Sequence, residues 1–172
     1  MPIQRLNHAV LYVRELERTK DFYVGALGFR VVNEPFGGRA AFFQAPGSTN
    51  DHDLATFAIG EGAGPSEAGR RTVGLYHLAW EVDTLAELQR LAEVLRARGA
   101  LSGSSDHGTT KSLYAQDPDG NELEVAWVVP ADLLDDAALE ARSRIGHLDL
   151  AKEMARYGAD TVGGVGISHT PA

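Results

Sequence analysis

Two segments of the chain resemble each other closely enough to indicate an internal duplication. Residues 6–13 read LNHAVLYV and residues 75–82 read LYHLAWEV, 69 residues apart. Each is an apolar run typical of a strand, and each carries a histidine at its third position. A period of this length is too long for a solenoid repeat. The pattern therefore predicts two similar modules that complete one sheet and share a core.

The two segments are followed by the same order of predicted elements. Each predicted helix ends at a glycine, Gly28 or Gly99, the residue that commonly terminates helices. Thr84 and Glu87 form the pattern of a capping box at the start of the second helix. The order strand, helix and three strands, repeated once, predicts an α+β fold of two βαβββ modules. The predicted elements are helix 15–27 with strands 29–34, 39–45 and 53–60, then helix 84–98 with strands near 100–104, 110–116 and 121–129.

Four segments make up the predicted domain organisation: a first module (1–61), a polar linker (62–72), a second module (73–129), and a C-terminal helical extension with a loose tail (130–172). Residues 131–157 are predicted to be helical, in one or two pieces. The apolar residues of this extension either pack on the chain's own sheet or contact a second copy, and the second alternative predicts a homo-oligomer, a dimer. These residues are Leu133, Leu134, Leu139, Ile145, Leu148 and Leu150.

Composition removes several classes of function. The chain has no cysteine, which excludes a disulfide scaffold, a thiolate metal site and a cysteine nucleophile. Its net charge of −8, with no basic stripe, argues against a nucleic-acid partner. No apolar run reaches the roughly 18 residues that span a bilayer, and the first residues lack the apolar stretch of a secretory signal. The expected location is the cytoplasm, with no membrane partner, and six histidines are the main candidates for chemistry.

Two of these histidines, His8 and His77, occupy matching positions of the duplicated modules and are expected in the middle of their strands. A single histidine in a strand is more often structural. If a pseudo-twofold axis relates the modules, however, the two imidazoles face each other and form half of a metal site. Glu122 and Glu124 share one face of the last strand, and either carboxylate could complete the site. Two histidines and one carboxylate without sulfur suit non-haem Fe(II).

The stretches HAVLYVRELERTKDFYVGALGF and DPDGNELEVAW resemble the vicinal oxygen chelate superfamily, and the resemblance extends over about residues 5–128. This superfamily includes glyoxalase I, bleomycin-resistance proteins, methylmalonyl-CoA epimerase and type I extradiol dioxygenases. The resemblance implies paired βαβββ modules whose mixed sheets curl around a metal held by His8, His77 and Glu124. Glu124 is preferred to Glu122 because the family's ligand is the fourth residue after the turn glycine.

Within the superfamily, three further residues resemble those of a short, two-module extradiol catechol 2,3-dioxygenase. His52, in HDLATF, is similar to the acid–base histidine of that branch, and Tyr114 stands ten residues before Glu124, as its substrate-binding tyrosine does. His107, in DHGTTKSLY, resembles a histidine that assists near the ring oxygens, at a spacing two residues shorter than in some members. Without the resemblance, His52 would be interpreted as a polar loop residue and Tyr114 as a cross-strand aromatic.

This resemblance implies an Fe(II) cofactor, with Mn(II) possible, and a catechol-type aromatic diol and O₂ as partners. The expected product is a ring-opened muconic semialdehyde. Phe42, Phe57, Trp80 and Trp127 are candidate walls of the substrate pocket, whereas His147, expected on a helix surface, and His169 match no motif.

Two alternatives share the same scaffold. A glyoxalase I-like lyase or isomerase resembles it but adds a glutamate ligand on the last strand of the first module. Here that strand, DLATFAIG, offers no carboxylate among its inward candidates Ala55, Thr56 and Phe57. A metal-free ligand-binding resistance protein would have no use for the His8, His77 and Glu124 set.

Overall fold

The computed structural model describes residues 2–3, 5–68 and 71–164. The chain divides into two compact units, the first formed by residues 1–66 with the turn 117–120, and the second by residues 67–116 and 121–172. The boundary near residue 66 lies inside the predicted linker.

The first unit is a four-stranded mixed sheet with one main helix. In chain order its elements are β1 (Ala9–Val13), α1 (Leu16–Gly25), β2 (Arg30–Asn33), the short turn α2 (Pro35–Gly38), β3 (Ala40–Gln44) and β4 (Leu54–Ala58). Its sheet order is β1-β4-β3-β2, in which β1 and β4 are parallel and the other neighbours are antiparallel.

Helix α1 covers one face of this sheet because its apolar residues recur with helical spacing. Its N-cap is Glu15, whose carboxylate accepts bonds from the backbone N–H groups of Glu17 and Arg18. Tyr23 is 1% exposed and packs edge-on against Phe29 and tilted against Phe43, with ring centroids 5.8 Å away in both cases. Aromatic burial on this scale supplies much of the unit's core.

The second unit repeats this arrangement. Its elements are β5 (Leu78–Glu81), α3 (Leu85–Ala97), β6 (Leu101–Asp106), β7 (Thr110–Gln116) and β8 (Glu122–Val128). Its sheet order is β5-β8-β7-β6, again with one parallel pair at the edge. Thr84 caps helix α3 by accepting from the N–H of Glu87, as the sequence predicts. Two mixed four-stranded sheets with the same strand order confirm the α+β fold and its duplication.

The C-terminal segment, residues 131–164, also belongs to the second unit. It contains a single 3₁₀ turn (Ala131–Leu133) and two helices, α4 (Asp136–Ala141) and α5 (Leu150–Tyr157). The prediction of helix over 131–157 is therefore wrong for residues 134–135 and 142–149. Ala138, Leu148 and Tyr157 are buried, so part of the segment packs within its own unit. Ile145 remains 84% exposed, and the dimer stays a prediction.

The placement of the paired histidines also differs from expectation. His8 and His77 each stand directly before the first residue of their strands, β1 and β5, rather than in the middle. The strand β1 begins where its partner does, since Ala9 pairs with Leu54. Among the described residues, no helix is both long and apolar enough to cross a membrane.

Candidate active site

The second unit brings His77 and Glu124 into direct contact. The Nε2 atom of His77 lies 3.0 Å from Oε2 of Glu124, and both side chains are largely shielded, at 24% and 14% exposure. The parallel register pairs Ala79 of β5 with Glu124 of β8, so the carboxylate reaches the residue that precedes β5. Of the two candidate carboxylates on this strand, Glu124 is the one in this contact.

Tyr114 lies on the neighbouring strand, directly opposite Glu124 in the antiparallel β7–β8 ladder. This pairing follows from the tight turn between the strands, as the ten-residue spacing predicts. The Tyr114 ring centroid is 5.9 Å from that of His77. The phenol, the imidazole and the carboxylate therefore occupy one face of the sheet.

Tyr114 is part of a hydrogen-bonded triangle with Ser105 and His107. The Nε2 atom of His107 lies 3.0 Å from Oη of Tyr114 and 2.7 Å from Oγ of Ser105. Ser105 also donates to Tyr114 Oη at 3.2 Å. Ser105 is 2% exposed, so a buried hydroxyl binds both His107 and Tyr114.

The other ring nitrogen of His107, Nδ1, lies 3.3 Å from the backbone oxygen of Arg144. A carbonyl oxygen only accepts hydrogen bonds, so Nδ1 carries the proton in this contact. In the neutral ring the Nε2 lone pair therefore faces the hydroxyls of Ser105 and Tyr114. The predicted assisting residue is thus connected to Tyr114 by a direct hydrogen bond.

The first unit places His8 beside His52, with ring centroids 4.4 Å apart. Both residues precede strands that pair in parallel, and the N–H of Ala9 donates to the oxygen of Asp53 at 2.9 Å, which brings the two strand starts together. His8 Nδ1 donates to Oδ1 of Asn7 at 2.7 Å, which leaves the Nε2 lone pair available for a metal ion.

His52 is fixed on two sides. Its ring stacks on Phe42 at 4.8 Å, and its Nδ1 donates to the Asp51 carboxylate at 2.8 Å. Asp53 organises the loop by accepting from the N–H of Ala45 and from the Ser48 hydroxyl. The His52 side chain is therefore only 16% exposed and held by two neighbours, and in the neutral ring its lone pair is on Nε2.

The donor set fits a divalent cation. An imidazole nitrogen and a carboxylate oxygen 3.0 Å apart are ligand types that Fe(II), Mn(II) and Zn(II) accept. The buried Nδ1 of His77 has no hydrogen-bond partner among the described residues, an unsatisfied group of the kind that marks functional sites. No three His, Asp or Glu side chains within the described ranges cluster closely enough to hold a metal together, so the His8, His77 and Glu124 trio stays a prediction.

Other sequence expectations have different outcomes. Trp127 is fully buried and packs at a tilt against Tyr157, with ring centroids 5.5 Å apart, so it is a core residue and not a pocket wall. His147 is exposed but lies between α4 and α5 rather than on a helix, and His169 lies outside the described residues. Ser105 was not predicted, although it stands two residues before His107, where strand alternation places it on a shared face.

The turn 117–120 has a structural role, as its sequence indicates. Asp117 accepts from the N–H of Asp119, and Asp119 accepts from both the backbone N–H and the guanidinium of Arg14, the latter at 2.8 Å. Arg18 donates to the oxygen of Pro118 at 2.7 Å. These hydrogen bonds fix the conformation of the turn and attach it to Arg14 and Arg18, which is a structural role.

Comparison with known proteins identifies the family. The model of the Glyoxalase/Bleomycin resistance protein/Dioxygenase superfamily matches residues 5–125. The chain belongs to this superfamily. Two biphenyl-2,3-diol 1,2-dioxygenases of Rhodococcus globerulus are 33% and 35% identical over 122 residues, or 70% of this chain. The matches span only 61% and 62% of those relatives' own length.

Relatives of a second activity match as well. A lactoylglutathione lyase of Escherichia coli O157:H7 is 29% identical over 129 residues, covering 70% of this chain and 90% of the lyase. Among solved structures, a glyoxalase/dioxygenase from Nostoc punctiforme has a TM-score of 0.59 at 24% identity, covering 72% of this chain and 90% of that one. The structural likeness establishes the fold, and the relatives include enzymes of two classes.

Proposed function

We propose that this protein is an extradiol dioxygenase that uses non-haem Fe(II) and O₂ to open a catechol-type aromatic diol to a muconic semialdehyde. The observation that carries the proposal is the position of Tyr114, opposite Glu124 and bonded to His107. A diol has two adjacent hydroxyl protons to hold and move, and a phenol backed by an imidazole is suited to that task. The identity to biphenyl-diol dioxygenases supports the same activity.

The residues proposed to hold the metal are His77 and Glu124, which are in contact, with His8 as the third ligand. With these three protein ligands, a bound metal would remain accessible to a diol and O₂, and a fourth protein ligand would reduce that access. When bound, a ferrous ion supplies Lewis acidity toward the diol and the electron for reaction with O₂. Mn(II) would accept the same nitrogen and oxygen ligands.

Tyr114 is proposed to bind one hydroxyl of the substrate through Oη. Its own proton is directed to Nε2 of His107. The phenol oxygen, which already accepts from the Ser105 hydroxyl, is thus an acceptor and has a lone pair for the substrate proton. His107 then receives the Tyr114 proton at Nε2. The residues thus form a short path along which a proton moves from the diol to an imidazole.

His52 is proposed to be the acid–base group for the other hydroxyl. Its Nδ1–H is directed to Asp51, so Nε2 is the atom that takes the proton and later returns it. Stacking on Phe42 fixes the plane of the ring and so fixes the direction of that lone pair.

The alternative is a glyoxalase I-like lyase or isomerase, which the identity to lactoylglutathione lyase favours. Strand β4, LATFA, carries no carboxylate for the additional ligand that the resemblance to that branch implies. A hydrogen-bonded phenol beside Glu124 also has no evident use in such a reaction.

The deciding experiment loads the chain with Fe(II) under anaerobic conditions and then measures oxygen uptake with catechol and biphenyl-2,3-diol. We expect oxygen consumption together with a yellow ring-fission product. Isomerisation of the methylglyoxal–glutathione adduct, measured in parallel, tests the alternative. Oxygen uptake at the blank rate with every diol tested, together with isomerase activity, would refute the dioxygenase proposal.

Two pairs of variants test the residues. Glu124→Ala should lose both metal and turnover, whereas Glu122→Ala, on the same strand face, should keep both. Tyr114→Phe should retain its metal and lose roughly 10-fold in kcat/KM, as expected for about 1–2 kcal/mol from one hydrogen bond to a charged group. Metal retained by Glu124→Ala and lost by Glu122→Ala would reverse the ligand assignment.

A further inference from the structure

The turn that carries His107, residues Asp106–Gly108, is bound by the C-terminal segment, which follows the residues that the family model matches. The backbone N–H of Asp106 donates to the oxygen of Gly146 at 3.0 Å, and the N–H of Gly146 donates to the oxygen of Asp106 at 2.8 Å. This reciprocal pair is an isolated antiparallel bridge. The bridge holds the backbone of the turn next to the residues that precede Gly146.

Gly108 brings the same turn against helix α4. A Cβ atom built on Gly108 would lie 2.2 Å from the backbone oxygen of Ala138 and 2.8 Å from Cβ of Ala141. The φ angle of Gly108 is +75°, a left-handed conformation that disfavours side chains. Only glycine permits this close approach, so the helix and the turn are positioned by direct backbone contact.

Helix α5 anchors the segment from the other side. Lys111 of β7 is 1% exposed, and its Nζ lies 2.6 Å from Oδ1 of Asp106 and 3.0 Å from Oε2 of Glu153 on α5. The ammonium therefore ties the turn and the helix to the same strand. Three independent contacts, one each at Asp106, Gly108 and Lys111, fix the segment against the His107 turn.

We propose that the C-terminal segment is a positioning element for His107, whose imidazole proton it fixes on Nδ1 through the backbone oxygen of Arg144. With the proton held there, the Nε2 lone pair is directed at Tyr114 and Ser105. The importance of this tautomer for turnover rests on the proposed function, since Tyr114 and His107 act there as a proton path. The location of the proton is a property of the fold and is measurable without any substrate.

The first test is nitrogen NMR of the ¹⁵N-histidine-labelled, chelator-treated full chain, at about two pH units above the usual imidazole pKa of about 6.5. His107 is assigned by the resonances that disappear in His107→Asn. We expect a protonated Nδ1 and an unprotonated Nε2 for this ring. A proton on Nε2 in the wild-type protein would overturn the proposal, whatever the activity.

The second test moves the segment with Gly108→Ala. The added methyl group must displace α4 or deform the turn, so we expect the His107 resonances to change to a mixture of tautomers. The matched control is Gly28→Ala, because Gly28 has a φ of +77° and nothing within 4 Å of its would-be Cβ. An unchanged His107 spectrum in folded Gly108→Ala would refute the proposal.

A second variant keeps the test decisive if Gly108→Ala does not fold. Gly146→Pro removes the N–H that donates to Asp106 and should produce the same change of tautomer. If the diol activity exists, kcat should fall about 10²-fold in Gly108→Ala and stay within about twofold in Gly28→Ala. A wild-type protein without oxygen uptake would refute the proposed function, while the nitrogen spectra would still decide the tautomer.

Discussion

The buried ammonium of Lys111 offers the sharpest test of how the C-terminal segment is held. Its two partners differ in exposure: the Asp106 side chain is 25% exposed, whereas that of Glu153 is 4% exposed. The 3.0 Å approach to Glu153 Oε2 is a charge contact rather than a well-aligned hydrogen bond. Glu153 therefore depends on Lys111 for compensation of its buried charge.

Lys111→Met keeps the length of the side chain and removes the charge. Asp106 retains contact with solvent and with the N–H of Gly108, but the Glu153 carboxylate stays buried without its ion-pair partner, and the charge of Arg156 acts on it only through space. Breaking a buried pair in this way costs about 3–5 kcal/mol, a large share of a typical stability of about 5–15 kcal/mol. For a chain of this size the loss corresponds to a drop in Tm of roughly 6–20 °C.

Urea unfolding followed by circular dichroism measures the effect. The double variant Lys111→Met/Glu153→Leu removes both charges and should recover all but about 1–2 kcal/mol, because apolar replacements of a buried pair are often neutral. The matched control is Arg90→Met, which breaks an exposed pair with Glu87 and should cost at most about 0.5 kcal/mol. A loss below about 1 kcal/mol in Lys111→Met would refute the argument from burial.

Three further predictions concern single residues. His52→Phe should leave metal content intact and lower turnover by about 10²–10⁴-fold, and near-normal turnover would return His52 to a structural role. Burial raises the pKa of Tyr157, whose Oη has no hydrogen-bond partner among the described residues. Tyr157→Phe should therefore change the free energy of unfolding by less than about 1 kcal/mol, and a loss of about 2 kcal/mol would reveal a partner. Burial alone would raise the pKa of Asp106, but the Lys111 ammonium and the Gly108 N–H outweigh it and hold that pKa below its usual value. The stability contributed by Asp106 is therefore present above about pH 4 and lost as the pH falls through the lowered pKa, so the stability gap between wild type and Asp106→Asn should narrow on acidification. A gap independent of pH would contradict this.

Much of the fold is predictable because it depends on local patterns. The duplicated strand segments predict the repeated strand order, and Thr84 marks the start of α3 through a side chain that the sequence displays. Tyr114 opposite Glu124 follows from counting residues across a tight turn. These features involve neighbours in sequence or a fixed alternation, so little tertiary information is needed.

The remainder depends on contacts between distant residues. The sequence pattern places His8 and His77 inside strands, but the first residue of each strand depends on its pairing with a distant strand, at Leu54 for β1 and at Leu123 for β5. Lys111 is buried beside Glu153, 42 residues further on, whereas its polar neighbours in sequence, Thr110 and Ser112, indicate an exposed position. The acceptor of the hydrogen bond from His107 is the backbone oxygen of Arg144, and a pattern of side chains cannot predict the position of a backbone oxygen.

The relatives of this chain include dioxygenases and lyases. We expect the residues around the substrate oxygens to determine which of these two reactions a member of the superfamily catalyses. A histidine–carboxylate pair such as His77 and Glu124 is compatible with both a dioxygenase and a lyase, since each needs a metal that polarises oxygen. In the proposed function, Tyr114 and His107 add a means to accept and hold a diol proton, which the proposed ring cleavage of a diol requires. The position of His107 depends in turn on residues 131–164, beyond the part of the chain that the family model matches. If both proposals hold, residues that determine the chemistry lie partly outside the two duplicated modules. Replacement of residues 131–164 should then change proton transfer by His107 and leave metal binding by His77 and Glu124 intact.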